Sequence, residues 1–220
     1  MASADYIKEL EGALSKFLQP IGGLPFHLVI KSLYKVEVLP IDKNSEQDTK
    51  LLDDLSKIAA VAGKQAKKNG IFRRRANEVG NDMEPYVKNA CHGLKLKAET
   101  PKTNLGKKKS TGYPDIYVED SSGRPVYLEV KTYNLANVDT TQRSFYMSPA
   151  KGGVKIIKSA PHIVLAFEIE ETSRKGKRCY VPVAWKIVSI RDMKVSVKHE
   201  FNASNRDMYK PEAILRSGKI

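Results

Sequence analysis

The chain has 220 residues, of which 41% are hydrophobic and 29% are charged, a composition typical of a globular protein with one large domain. No apolar run is long enough to span a membrane, and residues 1–20 lack the basic start and apolar core of a signal peptide, so we expect an intracellular protein. Lysine and arginine number 38 against 25 acidic residues, and this net charge of +13 favours a polyanionic partner. The two cysteines and four histidines lack metal-site spacing, which argues against a zinc site.

The first 75 residues are predicted to be mostly helical. Segment 4–18 fits a helix with Ser3 as its N-cap. The apolar face of that helix consists of Ile7, Leu10, Leu14, Phe17 and Leu18. Segment 26–41 is apolar and fits either a helix or a strand. Segment 44–70 has early acids, late lysines and a final glycine, the pattern of a helix that Gly70 ends.

A further helix and several strands are predicted for the rest of the chain. Segment 76–97 fits a helix with Glu84 beside its apolar stripe, and a hairpin is expected over 111–134. Strands are expected over 162–171 and 194–201, whereas 177–190 indicates a strand followed by an irregular or helical piece. The pattern predicts an α/β or α+β fold with a mixed central sheet flanked by helices. We assign residues 1–75 to a helical N-terminal region packed on a core of residues 76–220.

The hairpin segment TGYPDIYVEDSSGRPVYLEVKTYN carries three charged residues among its strand positions. A turn centred on Ser122 places Asp115 opposite Glu129, with Cβ atoms roughly 5 Å apart, and leaves Lys131 on the same face. The opposite, apolar face consists of Ile116, Val118, Val126, Leu128 and Val130. Opposed like charges destabilise a strand pair, so we expect a positive charge between the two carboxylates.

A divalent cation would supply that positive charge. Mg²⁺ binds proteins through one or two carboxylates together with waters and substrate phosphate. A lysine beside the ion can hold a water or stabilise negative charge on a phosphate. The alternative is a polar surface hairpin in which Lys131 forms an ordinary cross-strand salt bridge. Pro114 before the aspartate, the apolar opposite face and the acid on the upstream helix favour the metal site.

The motif PD at 114–115, followed by EVK at 129–131, resembles the signature of the PD-(D/E)XK nuclease superfamily, which has the restriction-endonuclease-like fold. In that family a helix before the hairpin supplies another acid. GNDMEPYV at 80–87 matches the context of that acid and points to Glu84, while Glu78 in NEVG is the competing candidate. The resemblance covers roughly residues 76–170.

The resemblance implies Mg²⁺-assisted hydrolysis of a phosphodiester, with one or two ions in each active site and a 5′-phosphate on the product. The implied metal ligands are Asp115, Glu129, Glu84 and the backbone carbonyl of Val130. Lys131 corresponds to the catalytic lysine, and the implied catalytic set is Asp115, Glu129, Lys131 and Glu84.

Basic clusters and polar loops are the candidate DNA contacts. RRR at 73–75 and KKK at 107–109 can grip phosphates beside the site. SRKGKR at 173–178 is a third basic cluster, which fits either a nucleic-acid contact or a solvated hairpin turn. The loop after Lys131 is rich in polar residues; asparagine and glutamine can read adenine, and arginine can read guanine. Segment 202–210 is a second candidate loop. The candidate DNA-binding residues are Arg73, Arg74, Arg75, Lys107, Lys108, Lys109, Asn134, Gln142, Arg143 and Tyr146.

Three functions are compatible with these observations. The first is a type II restriction enzyme, a sequence-specific endonuclease for double-stranded DNA that acts as a homodimer in the prokaryotic cytoplasm. The length, the lack of accessory motifs and the polar loops favour it. The second is a structure-specific repair or recombination nuclease of the same fold. The third is a non-catalytic DNA-binding module, against which the intact Asp115, Glu129 and Lys131 argue.

Overall fold

The computed structural model describes residues 4–19, 21–137, 139–140, 144–149, 153–199, 204, 206 and 210–216. The chain divides into two compact units, one of Met1–Leu24 with Lys194–Ile220 and one of Pro25–Met193. The division at residue 75 follows from helix content in the sequence and stays a prediction. Among the described helices, none has the length and apolarity needed to cross a membrane.

The first unit contains the predicted N-terminal helix, α1 (Ala4–Phe17). Its apolar side chains remain exposed, with Ile7 and Leu10 at 47% and Phe17 at 64%. The expected cap Ser3 lies outside the described residues. The short strands β1 (Leu24–Pro25) and β7 (Lys194–Val195) form a two-stranded sheet. Of the predicted strand 194–201, residues 194–199 are described, and only the first two of these form a strand.

A five-stranded mixed sheet forms the centre of the second unit. Its strands are β2 (Lys97–Glu99), β3 (Ile116–Glu119), β4 (Pro125–Tyr133), β5 (His162–Arg174) and β6 (Lys177–Ser189). They lie in the order β2-β3-β4-β5-β6, so β4 is the middle strand. β4 and β5 run parallel and the other neighbours antiparallel, which confirms the expected mixed α+β architecture.

Three helices accompany this sheet: α2 (Phe26–Tyr34), α3 (Glu46–Asn69) and α4 (Val79–Gly93). The ambiguous segment 26–41 thus begins as a helix. α3 starts at Ser45, whose side chain accepts a hydrogen bond from the N–H of Asp48, and Gly70 closes it as predicted. Apolar residues of α3 and α4 share one buried core with the sheet; among them are Leu55, Ile58, Met83, Val87 and Leu165.

Strand β6 is longer than the sequence indicates. The expected irregular or helical piece is wrong, because β6 continues to Ser189 beside β5. Pro182 lies within this strand, where proline is tolerated because the strand is at the sheet edge, and the ladder shifts register between Glu168 and Ile169 opposite it. Lys175 and Gly176, with φ of 52° and 71°, turn β5 into β6, so the basic segment 173–178 is a hairpin turn.

Candidate active site

The hairpin of β3 and β4 has the register that its turn predicts. Ile116 lies opposite Leu128, and Val118 lies opposite Val126. The carboxylate of Asp120 holds the turn, since its Oδ1 accepts hydrogen bonds from the backbone N–H groups of Ser122 and Arg124 at 2.9 and 3.0 Å. The paired register ends at Ile116, and the N–H of Asp115, which directly precedes β3, donates to the carbonyl of Leu128 at 3.1 Å. Asp115 therefore lies beside the stretch of β4 that carries Glu129, although the exact Asp115–Glu129 pairing that the turn predicts is not part of the ladder.

Arg124 ties the turn of the hairpin to helix α3. Its Nη1 lies 2.7 Å from Oδ1 of Asp48, and its Nε donates to Oδ2 of Asp120 at 3.0 Å. Both aspartates are buried, at 5% and 6% exposed, so one guanidinium compensates two carboxylates. The position of the hairpin is thereby fixed by a charged contact in addition to apolar packing.

Both faces of the hairpin are covered at its centre. The predicted core face is confirmed, because Ile116, Val118, Val126, Leu128 and Val130 are all at most 4% exposed. On the other face Tyr127 and Glu129 are also buried, at 1% and 4%, and Asp115 is half-buried. A surface hairpin with a solvated outer face does not have this burial. Glu129 is therefore a carboxylate held inside the protein, which requires a compensating charge.

The compensating contacts around Asp115 and Glu129 are incomplete. Oδ2 of Asp115 accepts a hydrogen bond from the N–H of Val130 at 2.9 Å, and Nζ of Lys131 lies 2.6 Å from Oε1 of Glu129. The second oxygen of Glu129, Oε2, is buried and has no hydrogen-bond partner within the described part of the chain. Burial, and then the charge of Asp115, raise the pKa of Glu129 to about 7.

These donors suit a hard divalent cation. Such an ion binds carboxylate oxygens, would occupy the unpartnered oxygen of Glu129 and would relieve the repulsion between the two acids. Among the described residues, no three acidic, histidine or cysteine side chains come close enough to hold an ion by themselves. A cation bound to Asp115 and Glu129 would thus complete its shell with backbone carbonyl or water oxygens, as Mg²⁺ ordinarily does.

Glu84 lies on α4 near this pair. The side chain of Glu84 is half-buried. Its pKa is raised first by burial and then by the charge of Asp115, so the two carboxylates repel each other. Its Oε2 is 3.9 Å from Nζ of Lys88. The competing Glu78 ends the 3-10 turn before α4 and is exposed. Burial and charge coupling therefore favour Glu84 over Glu78 as the third acid.

The structure adds a lysine that the sequence analysis did not single out. Lys155 is only 5% exposed, and its Nζ donates to the backbone carbonyl oxygens of Gly112 and Pro114, just before Asp115. The one sequence signal is its position in the apolar stretch VKII, which is unusual for a surface lysine.

An aromatic cluster backs the same segment, and it was also missed. The hydroxyl of Tyr113 lies 2.5 Å from Nδ1 of His162, and both residues are buried. Phe145 packs against Tyr113 with ring centroids 5.1 Å apart. Burial lowers the pKa of His162 to about 3, so its imidazole is neutral at physiological pH. The cluster is a packed support for the chain that leads to Asp115.

The three arginines of the first basic cluster differ in their surroundings. Arg73 donates through Nε and Nη2 to both carboxylate oxygens of Asp82 at 2.7 Å. The side chains of Arg74 and Arg75 are exposed, and the backbone carbonyl of Arg74 accepts a hydrogen bond from Arg178. Arg73 is therefore engaged within the protein, whereas Arg74 and Arg75 are accessible to a phosphate.

The other candidate DNA contacts are partly described. Lys107 and Lys108 are exposed, and Lys109 is half-buried. Asn134 is exposed, but its Oδ1 accepts a hydrogen bond from the N–H of Ala136 at 2.8 Å. Tyr146 is 52% exposed. Gln142, Arg143 and most of segment 202–210 lie outside the described residues.

Comparison with known proteins gives one consistent result. A family model described as the type II restriction enzyme MjaV family matches residues 21–212, which include Glu84, Asp115, Glu129 and Lys131. A relative named type II restriction enzyme MjaV, from Methanocaldococcus jannaschii, is 39% identical over 229 aligned positions, covering 98% of this chain and 97% of the relative. The chain therefore belongs to the MjaV family of type II restriction enzymes, which are site-specific deoxyribonucleases.

Proposed function

We propose that this chain is an Mg²⁺-dependent endonuclease that cuts specific sequences in double-stranded DNA at a PD-(D/E)XK site. The observation that carries the proposal is the buried Glu129, with one oxygen unpartnered, between Asp115 and Lys131. Family membership supports DNA as the substrate and sequence as the basis of selection.

The residues that would hold Mg²⁺ are Asp115, Glu129, the carbonyl oxygen of Val130 and, through a bound water, Glu84. When bound, the ion would polarise the scissile phosphate and lower the pKa of a bound water. The hydrogen bond from the N–H of Val130 to Oδ2 of Asp115 leaves Oδ1 as the freer ligand oxygen. The protein thus contributes a rigid pair of carboxylates whose charge is balanced only in part by Lys131.

Lys131 would act on the nucleophile and on the phosphate. Its ammonium shares the face of β4 that carries Glu129, within reach of a phosphate lying over the carboxylates. From there it can orient the attacking water and stabilise the negative charge that develops on the phosphate oxygens. Water attacks phosphorus, the bond to the 3′ oxygen breaks, and the 3′ oxygen leaves with a proton. The products carry a 5′-phosphate and a 3′-hydroxyl.

The assembly and the DNA contacts are part of the same proposal. Two strands must be cut, so we infer a homodimer with one active site for each strand. Phosphate contacts would come from Arg74, Arg75, Lys107 and Lys108, which are exposed, and from the half-buried Lys109. Base contacts would come from the loop after Lys131. The cytoplasmic location stays a prediction.

Digestion of plasmid and phage DNA, with Mg²⁺ and with EDTA, tests the proposal. We expect discrete fragments only with Mg²⁺, and sequencing of their ends should show one recurrent recognition sequence and 5′-phosphates. Cleavage in EDTA would contradict the metal site. Failure to cut linear duplex, with cutting of branched DNA, would instead identify a structure-specific nuclease. Sedimentation of the protein with its DNA site tests the dimer.

A further inference from the structure

Lys155 is a buried lysine whose side chain reaches the segment immediately before Asp115. Its Nζ donates to the carbonyl oxygens of Gly112 and Pro114, and the residue is 5% exposed. Burying an ammonium is costly unless its protons are accepted, so these hydrogen bonds are required for the side chain to stay inside. One ammonium thereby holds the backbone on both sides of Tyr113.

Other contacts hold the same segment from the sheet. The N–H of Asp115 donates to the carbonyl of Leu128 at 3.1 Å, and its carboxylate accepts from the N–H of Val130. Lys155 comes from a different part of the chain, the segment that returns after the polar loop. It therefore adds a tie between that segment and the residues that carry Asp115.

The charge of Lys155 faces the same acids. Burial lowers the pKa of Lys155, while the charges of Asp115, Glu129 and Glu84 act in the opposite direction. These carboxylates are those assigned to the cation. The ammonium of Lys155 thus lies within electrostatic range of the site, as do those of Lys131 and Lys88.

We propose that Lys155 is a positioning residue that fixes the carboxylate of Asp115 for cation binding by holding the carbonyls of Gly112 and Pro114. It acts through the backbone and contacts neither the substrate nor the ion. The inference rests on the proposed function, because it assumes that Asp115 is a ligand of the cation. Groups that orient metal ligands typically change metal affinity by about 10- to 100-fold when they are lost.

Substitutions at Lys155 distinguish a role in positioning Asp115 from a general contribution to folding. Lys155→Met keeps the apolar stem but removes the donors, and Lys155→Arg keeps both donors and charge. Lys158→Met is the matched control, because Lys158 is an exposed lysine three residues along the chain whose Nζ donates to the Tyr117 hydroxyl at 3.0 Å. Ca²⁺ binding measured by calorimetry without DNA is the first readout, and the Mg²⁺ dependence of single-turnover cleavage is the second.

We expect Lys155→Met to weaken Ca²⁺ binding, and to raise the Mg²⁺ needed for half-maximal cleavage, by about tenfold or more. Lys155→Arg should recover most of the loss, and Lys158→Met should match the wild-type chain. Unchanged or tighter Ca²⁺ binding in Lys155→Met would overturn the inference, since tighter binding would mean that the ammonium acts only as a competing charge.

Circular dichroism establishes that each variant is folded. If Lys155→Met does not fold, Lys155→Gln provides the reverse test, because it keeps amide donors without the charge. Positioning by hydrogen bonds then predicts Ca²⁺ binding close to that of the wild-type chain, and a tenfold loss would contradict it. A wild-type chain that binds Ca²⁺ but cuts no DNA would contradict the proposed function, while the calorimetric comparison would still decide the role of Lys155. A wild-type chain that binds no Ca²⁺ would overturn the inference.

Discussion

The carboxylate of Asp115 accepts a hydrogen bond from the backbone N–H of Val130 at 2.9 Å. One proposed metal ligand is therefore tied to the residue whose carbonyl is proposed as another. The two can shift only together, because Val130 lies within the middle strand of the sheet. This contact locks the start of the hairpin, at the end opposite its turn, onto the strand that carries Glu129 and Lys131.

Asp115→Asn should abolish Mg²⁺-dependent cleavage and leave DNA binding intact. The amide keeps an oxygen that can accept from the N–H of Val130 but loses the charge that binds a cation. We expect the single-turnover rate to fall by about three orders of magnitude, since a metal ion supplies several kcal/mol of transition-state stabilisation. Glu119→Gln, on the same hairpin and paired with Lys97, is the control and should cut normally. Cleavage by Asp115→Asn at the wild-type rate would refute the active-site assignment.

Glu84→Gln and Glu78→Gln distinguish the two candidates for the third acid. Glu84 is half-buried and is coupled to Asp115, whereas Glu78 is exposed. We expect Glu84→Gln to lower the cleavage rate by about 10- to 100-fold and Glu78→Gln to leave it unchanged. Rates measured at several Mg²⁺ concentrations show whether a higher Mg²⁺ concentration compensates for the lost carboxylate. The opposite order of effects would transfer the role to Glu78.

The stability of the metal-free protein should fall as pH rises from about 4.5 to about 7. The pKa of Glu129 is about 7 in the folded protein against an ordinary 4.5, so the folded state binds this proton more tightly than the unfolded state. Above about pH 4.5 the unfolded chain loses the proton first, and the folded state is progressively destabilised until about pH 7. Thermal unfolding in EDTA should show this slope, and added Ca²⁺ should reduce it.

Glu129→Gln is the control for that slope. The amide does not titrate, so the unfolding temperature of this variant should depend less on pH between about 5 and 7 than that of the wild-type chain. An equal slope in the two proteins would mean that other groups set the pH dependence. Glu84 is one such group, since its pKa is also raised, and Glu84→Gln separates its contribution.

Arg75 and Arg73 should differ in their effect on DNA affinity. Arg73 is held by both oxygens of Asp82, while Arg75 is exposed. We expect Arg75→Ala to weaken DNA binding and to reduce the slope of log affinity against log salt by about 1, the value for one phosphate contact. Arg73→Ala should change that slope less. Equal effects of the two substitutions would contradict this distinction.

Arg124→Met should destabilise the protein by about 3–5 kcal/mol, because it leaves two buried aspartates without their shared partner. Denaturant unfolding measures this change. Arg178→Met is the control, since Arg178 pairs with Glu171 at an exposed site and should cost about 1 kcal/mol or less. A similar loss in both variants would show that the burial of Asp48 and Asp120 carries little energy.

The register of the hairpin could be predicted because it depends on nearby residues. Asp120 and Gly123 specify the turn, and alternation then assigns each side chain to a face. Lys155 could not be found in this way. Its acceptors lie 41 and 43 positions away in the sequence. They are backbone carbonyls, which every residue has, so the sequence does not indicate which of them are acceptors. Strand β6 was predicted only in part for a related reason, since its continuation to Ser189 depends on pairing with β5 and not on its own residues.

Glu129 and Lys131 belong to the strand of the second unit's sheet that has two neighbours on each side. Amide hydrogens in such a strand exchange with solvent mainly through global unfolding, unlike those of loops, which open locally. The arrangement of these two proposed catalytic side chains should therefore persist as long as the sheet itself. Loss of cleavage on heating should coincide with the melting of the fold, and it should not precede that transition.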